Sequence, residues 1–186
     1  MTRHFILTGA PGAGKTTLIE ELAQRGFATV PEAATDVIAI GQAKGIEMPW
    51  LESDFTREIA VLQSERLDGA GGPLVFHDRS ALCTLALARF LGHPISPELA
   101  AATRAARQIF EPKVFFVRLL GFITPTAARR IGLEEAQKFE KLHEAVYREA
   151  GFELVDIVPA PVEARIAALL AIAQGRDLPL PQSSSI

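Results

Sequence analysis

Short apolar runs alternate along the chain with longer segments in which apolar residues recur every three or four positions. The apolar runs predict strands over 4–8, 27–30, 74–77 (closing on Asp78), 114–118 and 153–156. The amphipathic segments predict helices over 16–25, 33–43, 54–67, 80–91, 97–107 and 162–173, with another beginning at 133. Strands that alternate with helices predict a three-layer α/β/α sandwich around a five-stranded, mainly parallel sheet.

The chain contains no repeat and no linker long enough to divide it. We therefore expect one domain over residues 1–176 and a disordered, proline- and serine-containing tail over 177–186. The 186 residues are 48% hydrophobic and 22% charged, which is typical of a globular protein. No apolar run approaches the roughly 18 residues that span a bilayer.

Net charge and cysteine content exclude several function classes. The formal charge is −3 and the pI about 5.8, so no basic surface for a nucleic-acid polymer is expected. Cys83 is the only cysteine, which rules out an intrachain disulfide, and its apolar neighbours indicate a helix packing residue. We expect a cytoplasmic enzyme, a monomer or homodimer, that binds neither membrane nor nucleic acid.

A glycine-rich segment after the first strand has the spacing G-x-x-x-x-G-K-T and precedes a helix. Its glycines let backbone amides face phosphate oxygens, Lys15 neutralises the β- and γ-phosphates, and the Thr16 hydroxyl ligates magnesium. The alternative is an unrelated glycine-rich turn. No Asn-Lys-x-Asp guanine signature occurs, so ATP with Mg²⁺ is the expected ligand, bound by Gly9, Ala10, Pro11, Gly12, Ala13, Gly14, Lys15, Thr16 and Thr17.

The third strand ends in a carboxylate, as a Walker B segment does. Asp78 is therefore expected to hold magnesium directly or through water, together with Thr16. It can equally cap the helix that follows, and the two roles are compatible. His77 beside it is interpreted as a strand residue rather than a catalyst.

Three motifs together resemble a known group: the phosphate loop, the segment from Val30 to Ala34, and the segment from His77 to Ser80. They look like the AAA-type "ATPase" family that is closest to small-molecule kinases. The nicotinamide riboside kinase domain of bacterial NAD regulators is similar, and deoxynucleoside kinases are more distant. The resemblance runs from about residue 3 to residue 172. It implies a nucleoside/nucleotide kinase-like fold, Glu32 as the base for the acceptor hydroxyl, and Arg79 facing the reacting groups.

Glu32 also has a structural interpretation, as the cap of the helix from 33, although Glu is a poor N-cap. Residues 124–132 predict a short helix with Arg129 and Arg130, which resembles the lid of nucleoside and nucleotide kinases. Lid arginines stabilise transition-state charge; the alternative is a solvated basic turn. Arg118 is a weaker candidate for the same site.

The fifth strand is followed by a proline-rich segment at the place where related kinases pass a loop beside adenine. Pro161 is expected in that loop, although it equally suits a helix start. The acceptor is expected over the carboxyl ends of the strands. Its predicted contacts are Glu32, Trp50, Phe55, Gln63, Arg66 and Arg79. The alternative is that the two aromatic residues belong to the core and Arg66 is solvated.

These features favour a kinase that moves the γ-phosphate of Mg-ATP to a hydroxyl of a small molecule, with Lys15, Glu32, Asp78, Arg79, Arg129 and Arg130 as its catalytic residues. A regulatory NTPase or nucleotide-gated binding module is the main alternative. A nucleoside monophosphate kinase is a third, less favoured because a phosphate acceptor needs cations rather than a base.

Overall fold

The computed structural model describes residues 2–9, 11–118 and 133–175 of the chain. Within these ranges the strands are β1 (Arg3–Thr8), β2 (Ala28–Val30), β3 (Leu74–Asp78), β4 (Lys113–Val117) and β5 (Glu153–Ile157). The helices are α1 (Lys15–Gln24), α2 (Ala34–Ala43), α3 (Phe55–Asp68), α4 (Ala81–Leu91), α5 (Pro97–Ile109), α6 (Leu133–Glu149) and α7 (Val162–Ala173). The predicted lid over 124–132 and the predicted tail over 177–186 lie outside the described residues.

The strands form one five-stranded sheet in the order β2-β3-β1-β4-β5. Every pairing among them is parallel, which confirms the predicted sheet. Parallel pairing places the carboxyl ends of the strands at one edge, because each connection returns the chain to the opposite edge. The loop after β1, Pro31 and Glu32 after β2, and Asp78 at the end of β3 therefore lie along the same edge.

Successive residues of the central strand β1 pack against different helical layers. Phe5 and Leu7 join Leu18 of α1 and Leu169 of α7 in one apolar cluster. Ile6 points to the opposite face and packs in a second cluster with residues of α4 and α6. This alternation follows from the two-residue period of a strand, and it produces the predicted three-layer sandwich.

Most element boundaries lie within one or two residues of the predicted ones. α4 begins at Ala81 rather than at 80 because Ser80 has extended backbone and caps the helix, its hydroxyl accepting from the Leu82 amide at 3.3 Å. α5 ends two residues later than predicted, at Ile109. Among the described residues, no helix combines the length and the hydrophobicity needed to cross a bilayer.

A short 3-10 helix, Pro49–Leu51, follows α2 and was not predicted. It packs on α2 through Gly41, where a Cβ atom would lie 2.7 Å from Cγ and 2.9 Å from Cβ of Pro49. Only glycine allows the proline ring to come this close. The contact therefore fixes the position of Trp50, the next residue of the 3-10 helix, relative to α2.

We predict that Gly41→Ala destabilises the protein. Alanine normally stabilises a helix interior by about 0.5–1 kcal/mol over glycine, but here the methyl group overlaps the Pro49 ring. The free energy of unfolding in urea should fall by about 1–3 kcal/mol, the usual cost of overpacking. The control is Gln42→Ala at the exposed neighbouring position, expected within about 0.5 kcal/mol of wild type. A Gly41→Ala protein as stable as wild type would contradict the close contact.

Candidate active site

The loop between β1 and α1 is shaped by glycines with positive φ. Gly9, Gly12 and Gly14 have φ of 129°, 87° and 85°, which residues with a Cβ atom rarely adopt. At Gly9 a Cβ would also lie 2.3 Å from the carbonyl oxygen of Val117 in β4, so the loop packs directly on the neighbouring strand. Gly14 caps α1. No N-cap side chain accepts a hydrogen bond from the first amides of α1, which is also the arrangement at helix N-termini that bind anions.

Lys15 is the first residue of α1 and lies buried beneath this loop, with a side chain that turns back onto it. Its Nζ donates to the carbonyl oxygen of Gly9 at 3.0 Å. Burial, and then the positive charge of Arg79, lower the pKa of Lys15 to about 8. A bound anion would raise this pKa again, because it would compensate the desolvated ammonium group.

Asp78 lies at the end of β3, opposite Leu7 of β1, and its side chain is buried. Burial raises the pKa of Asp78, while Lys15, Arg79 and a hydrogen bond from Thr16 lower it in part. Its Oδ1 atom is buried and has no hydrogen-bond partner among the described residues. A buried carboxylate oxygen without a partner, next to a threonine hydroxyl, suits a hard cation such as magnesium.

Arg79 connects three parts of this edge of the sheet. Its φ is 76°, the only positive value for a residue other than glycine in the described part of the chain. The guanidinium donates through Nε to Glu32 Oε1 and through Nη1 to the carbonyl oxygen of Gly9 at 3.4 Å. The backbone amide donates to the carbonyl oxygen of Leu7 at 3.0 Å. Glu32 after β2 and the phosphate loop are thereby held next to each other.

Glu32 is ionised at neutral pH. Burial raises the pKa of its carboxyl, but Arg79, Lys15 and a hydrogen bond from the Thr35 hydroxyl (3.1 Å to Oε2) outweigh burial and keep the pKa below its usual range. The structural alternative for Glu32 does not hold, because the N-cap of α2 is Ala33 and no side chain caps this helix. Its carboxylate is directed at Arg79 instead.

Arg66 binds the backbone of the segment that carries Glu32. It donates to the backbone carbonyls of Pro31 (3.0 Å) and Glu32 (2.8 Å) and pairs with Asp36. It does not line the cavity described below. The structure therefore places it as a support for the Glu32 backbone rather than on the cavity wall.

A cavity of about 450 Å³ opens from the phosphate loop toward α3 and α4. One end is lined by Lys15, Thr16, Glu32, Asp78 and Arg79, and the other largely by apolar side chains. Trp50, Phe55 and Gln63 line this second end, where the sequence predicted the acceptor. Phe55 is also a core residue of α3, which confirms its core interpretation, while its contact with an acceptor stays a prediction.

Other predicted residues lie elsewhere. Ala10, Arg129 and Arg130 fall outside the described residues, and Pro161 is the exposed N-cap of α7, away from the cavity lining. Arg118 pairs with Glu144 and Asp156 on α6 and β5. His77 is a buried strand residue, as interpreted from the sequence, with its Nε2 atom 2.9 Å from Nδ1 of His4.

Arg165 is a site residue that sequence analysis missed. It lies on α7, is 5% exposed, and donates from Nη2 to the carbonyl oxygen of Ala13 in the phosphate loop at 2.9 Å. Its Nη1 atom lies 3.2 Å from the place of a Cβ on Gly14. The available signal was a charged residue in the inward stripe formed by Val162, Ile166 and Leu169. A buried arginine in such a stripe needs a polar partner, here the loop backbone.

We predict that Arg165→Met weakens binding of a non-hydrolysable ATP analogue about tenfold, because the buried Ala13 carbonyl loses its donor, at a cost of about 1–3 kcal/mol. Isothermal titration calorimetry measures the dissociation constant. Arg104→Met, at an exposed position of α5, is the matched control and should bind like wild type. Equal affinity of the Arg165→Met protein and this control would show that the loop keeps its shape without Arg165.

Lys15 makes the stability of the ligand-free protein depend on pH. The pKa of Lys15 is about 8 in the folded protein and 10.5 in its ordinary environment. At a pH between these values, Lys15 has lost its proton in the folded state and keeps it in the unfolded state. The free energy of unfolding should therefore rise with pH in this window, by up to roughly 3 kcal/mol. Urea unfolding at pH 7 to 10 measures this rise, which Lys15→Met should abolish. The same rise in both proteins would assign it to another group.

The chain is similar to known proteins in sequence family and in fold. Residues 4–165 match the model of a family described as an AAA domain, whereas no curated protein sequence matches the chain. A structure of deoxyadenosine kinase from M. mycoides with dCMP and dCDP aligns with a TM-score of 0.63 at 14% identity, covering 92% of this chain and 98% of that one. Shikimate kinase from Acinetobacter baumannii with shikimate gives 0.57 at 18% identity, covering 96% and 97%.

NadR protein in complex with NR has a TM-score of 0.65 at 17% identity, and the alignment covers 96% of this chain but 52% of NadR. Another NadR structure holds NAD and AMP-PNP. At such low identities these likenesses establish a shared fold, which is the nucleoside and nucleotide kinase-like fold expected from the sequence motifs. Because the family model covers most of the chain, the protein belongs to the AAA domain family of P-loop proteins.

Proposed function

We propose that the protein is a kinase that transfers the γ-phosphate of ATP to a hydroxyl group of a small molecule. The observation that carries the proposal is the position of the Glu32–Arg79 pair. It lies at the polar end of the cavity, between the phosphate loop and a space large enough for a second ligand. A carboxylate on the acceptor side and cations on the donor side are what phosphoryl transfer to an alcohol requires.

The phosphate loop supplies the donor side. Its glycine backbone and the start of α1 would hold the triphosphate, with Lys15 beneath it. The cofactor would be magnesium, held by Thr16 and Asp78, where it would neutralise charge on the phosphates; the buried Asp78 Oδ1 atom without a described partner supports this assignment. Arg79 would add positive charge beside the transferred group.

Glu32 supplies the acceptor side. An ionised carboxylate accepts a hydrogen bond from the acceptor hydroxyl and orients its oxygen toward the γ-phosphorus. As the new oxygen–phosphorus bond forms, the bond from the γ-phosphorus to the bridging oxygen breaks and ADP leaves with that electron pair. The hydroxyl proton passes to Glu32. Arg79 keeps Glu32 ionised and in place for this step.

The structural relatives support a small-molecule acceptor. Deoxyadenosine kinase and shikimate kinase act on small molecules, as their names say, and NadR holds NR in a structure of the same fold. A regulatory NTPase would need no chamber beside its phosphate loop. A phosphate acceptor would need its own cations, yet Lys15 and Arg79, the basic side chains lining the described cavity, both stand at the donor end.

We predict that Glu32→Gln lowers kcat by about 10²- to 10⁴-fold, the usual contribution of a general base, while the affinity for a non-hydrolysable ATP analogue stays within about threefold. Substrate-dependent ADP release and calorimetry measure the two quantities. Glu47→Gln, at an exposed position, is the control for loss of a carboxylate.

Two results would contradict the proposal. If Glu32→Gln retains wild-type turnover, Glu32 is not the base. If the wild-type protein releases no ADP in response to any alcohol, but captures a protein partner only when nucleotide is bound, the regulatory module is the better description.

A further inference from the structure

The end of the cavity away from the phosphate loop is an apolar chamber. Four aromatic rings line it, each contributed by a different element: Trp50 of the 3-10 helix, Phe55 of α3, Phe90 of α4 and Phe139 of α6. Aliphatic side chains fill the wall between them, namely Ile38, Ile59, Leu87 and Leu91. Surfaces of this kind bind a ligand by removing its apolar area from water.

Charged side chains are confined to the other end. Lys15, Glu32, Asp78 and Arg79 are the charged residues among the described lining, and all four belong to the donor and transfer machinery. Lys15 and Arg79 are already engaged with the Gly9 carbonyl and with Glu32. An acceptor that carries a carboxylate or phosphate away from its reacting hydroxyl would lose the hydration of that group on entering the chamber. No cation among the described lining residues of the chamber would compensate this loss.

Uncharged polar groups are few in the chamber. Gln63 of α3 accepts a hydrogen bond from the buried Thr84 hydroxyl of α4 at 2.9 Å. This contact occupies the carbonyl of the Gln63 amide, and its NH₂ group remains to donate to a ligand. Cys83 adds only a thiol, a weak hydrogen-bonding group that already contacts Thr8 and Tyr147.

A polyhydroxylated acceptor does not match the small number of polar groups in the chamber. Each hydroxyl of a sugar that is buried without a partner loses its hydrogen bonds to water. Thr35 and Thr84 also line the cavity, but their hydroxyls donate to Glu32 and Gln63. The described lining therefore offers the Gln63 amide and aromatic rings, which suits a ring or chain with a single hydrogen-bond acceptor.

We propose that the chamber selects an uncharged, largely apolar alcohol, whose body packs against the aromatic wall and whose one acceptor atom binds the Gln63 amide. This inference rests on the proposed kinase function, because it names the acceptor of that reaction. The described lining therefore disfavours sugars, carboxylates and phosphorylated acceptors.

Three matched probes test the ligand class: 4-acetylbenzyl alcohol, 4-ethylbenzyl alcohol and 4-(hydroxymethyl)benzoate, with glucose and thymidine as polyhydroxylated competitors. Calorimetry with the full chain measures affinity without turnover, and ADP release with Mg-ATP measures turnover separately. Trp50 is the only tryptophan, so its fluorescence reports whether 4-ethylbenzyl alcohol enters the chamber. We expect both uncharged probes to bind at least tenfold more tightly than the benzoate and the polyhydroxylated compounds.

The outcomes separate this inference from the proposed function. Tight binding of the uncharged probes with ADP release supports both. Tight binding with a Trp50 response but no ADP release from any alcohol supports the ligand class and overturns the kinase. Preferred binding of the benzoate, glucose or thymidine overturns the ligand class, and ADP release with any of them leaves the kinase in place. If none of the probes binds, the ligand class is also wrong.

Gln63→Leu tests the single polar contact. It should weaken binding of 4-acetylbenzyl alcohol about tenfold and leave binding of 4-ethylbenzyl alcohol, which lacks the carbonyl, within twofold of wild type. Because Gln63→Leu removes the partner of the Thr84 hydroxyl, the double variant Gln63→Leu/Thr84→Val is measured beside it and removes both groups together. Equal losses for the two probes in both variants would overturn the role of the Gln63 amide.

Discussion

The buried guanidinium of Arg79 connects the strand ends on which the site is built. It binds Glu32 after β2 and the Gly9 carbonyl after β1, while its own residue follows β3 and donates its amide to Leu7. The residue holds a φ of 76°, which costs about 1–3 kcal/mol for a side chain with a Cβ. The carboxylate of Glu32 compensates the burial of the guanidinium, because a buried arginine without its carboxylate would be far more unfavourable.

This arrangement divides the cavity into two chemical regions. Cationic and anionic groups are concentrated at the phosphate loop, where they compensate one another in the absence of ligand. The pKa shifts of these groups reflect both burial and the neighbouring charges. Burial lowers the pKa of Lys15 and raises that of Asp78, whereas neighbouring cations keep Glu32 ionised. Lys15 and Asp78 are buried at the polar end, which strengthens the electrostatic interactions there. In the proposed reaction, binding of the acceptor body and transfer of the phosphate would thus depend on different residues of one continuous space.

Supporting residues keep both regions in place. Arg66 fixes the backbone of Pro31 and Glu32, and Arg165 fixes the phosphate loop through Ala13. Gly41 lets Pro49 approach α2 and so positions Trp50 on the chamber wall. These residues do not line the cavity, yet each controls the position of one that does. Their effects should therefore appear as changes in affinity or stability rather than as loss of a chemical group.

The sequence by itself determined the sheet, the layers and the phosphate loop. Strand periodicity, glycine positions and the G-x-x-x-x-G-K-T spacing are local, so each can be read without knowing what packs against what. Asp78 was predicted from a strand that ends in a carboxylate, and Glu32 and Arg79 from the motif resemblance. All three lie at one edge of the sheet, because parallel strands bring their carboxyl ends together. Only the tertiary structure decided that Arg66 faces backbone, that Arg165 reaches the loop from α7, and that rings from four elements form one apolar chamber. Such contacts join residues far apart in the chain, and the direction of a single side chain depends on packing that no local pattern encodes.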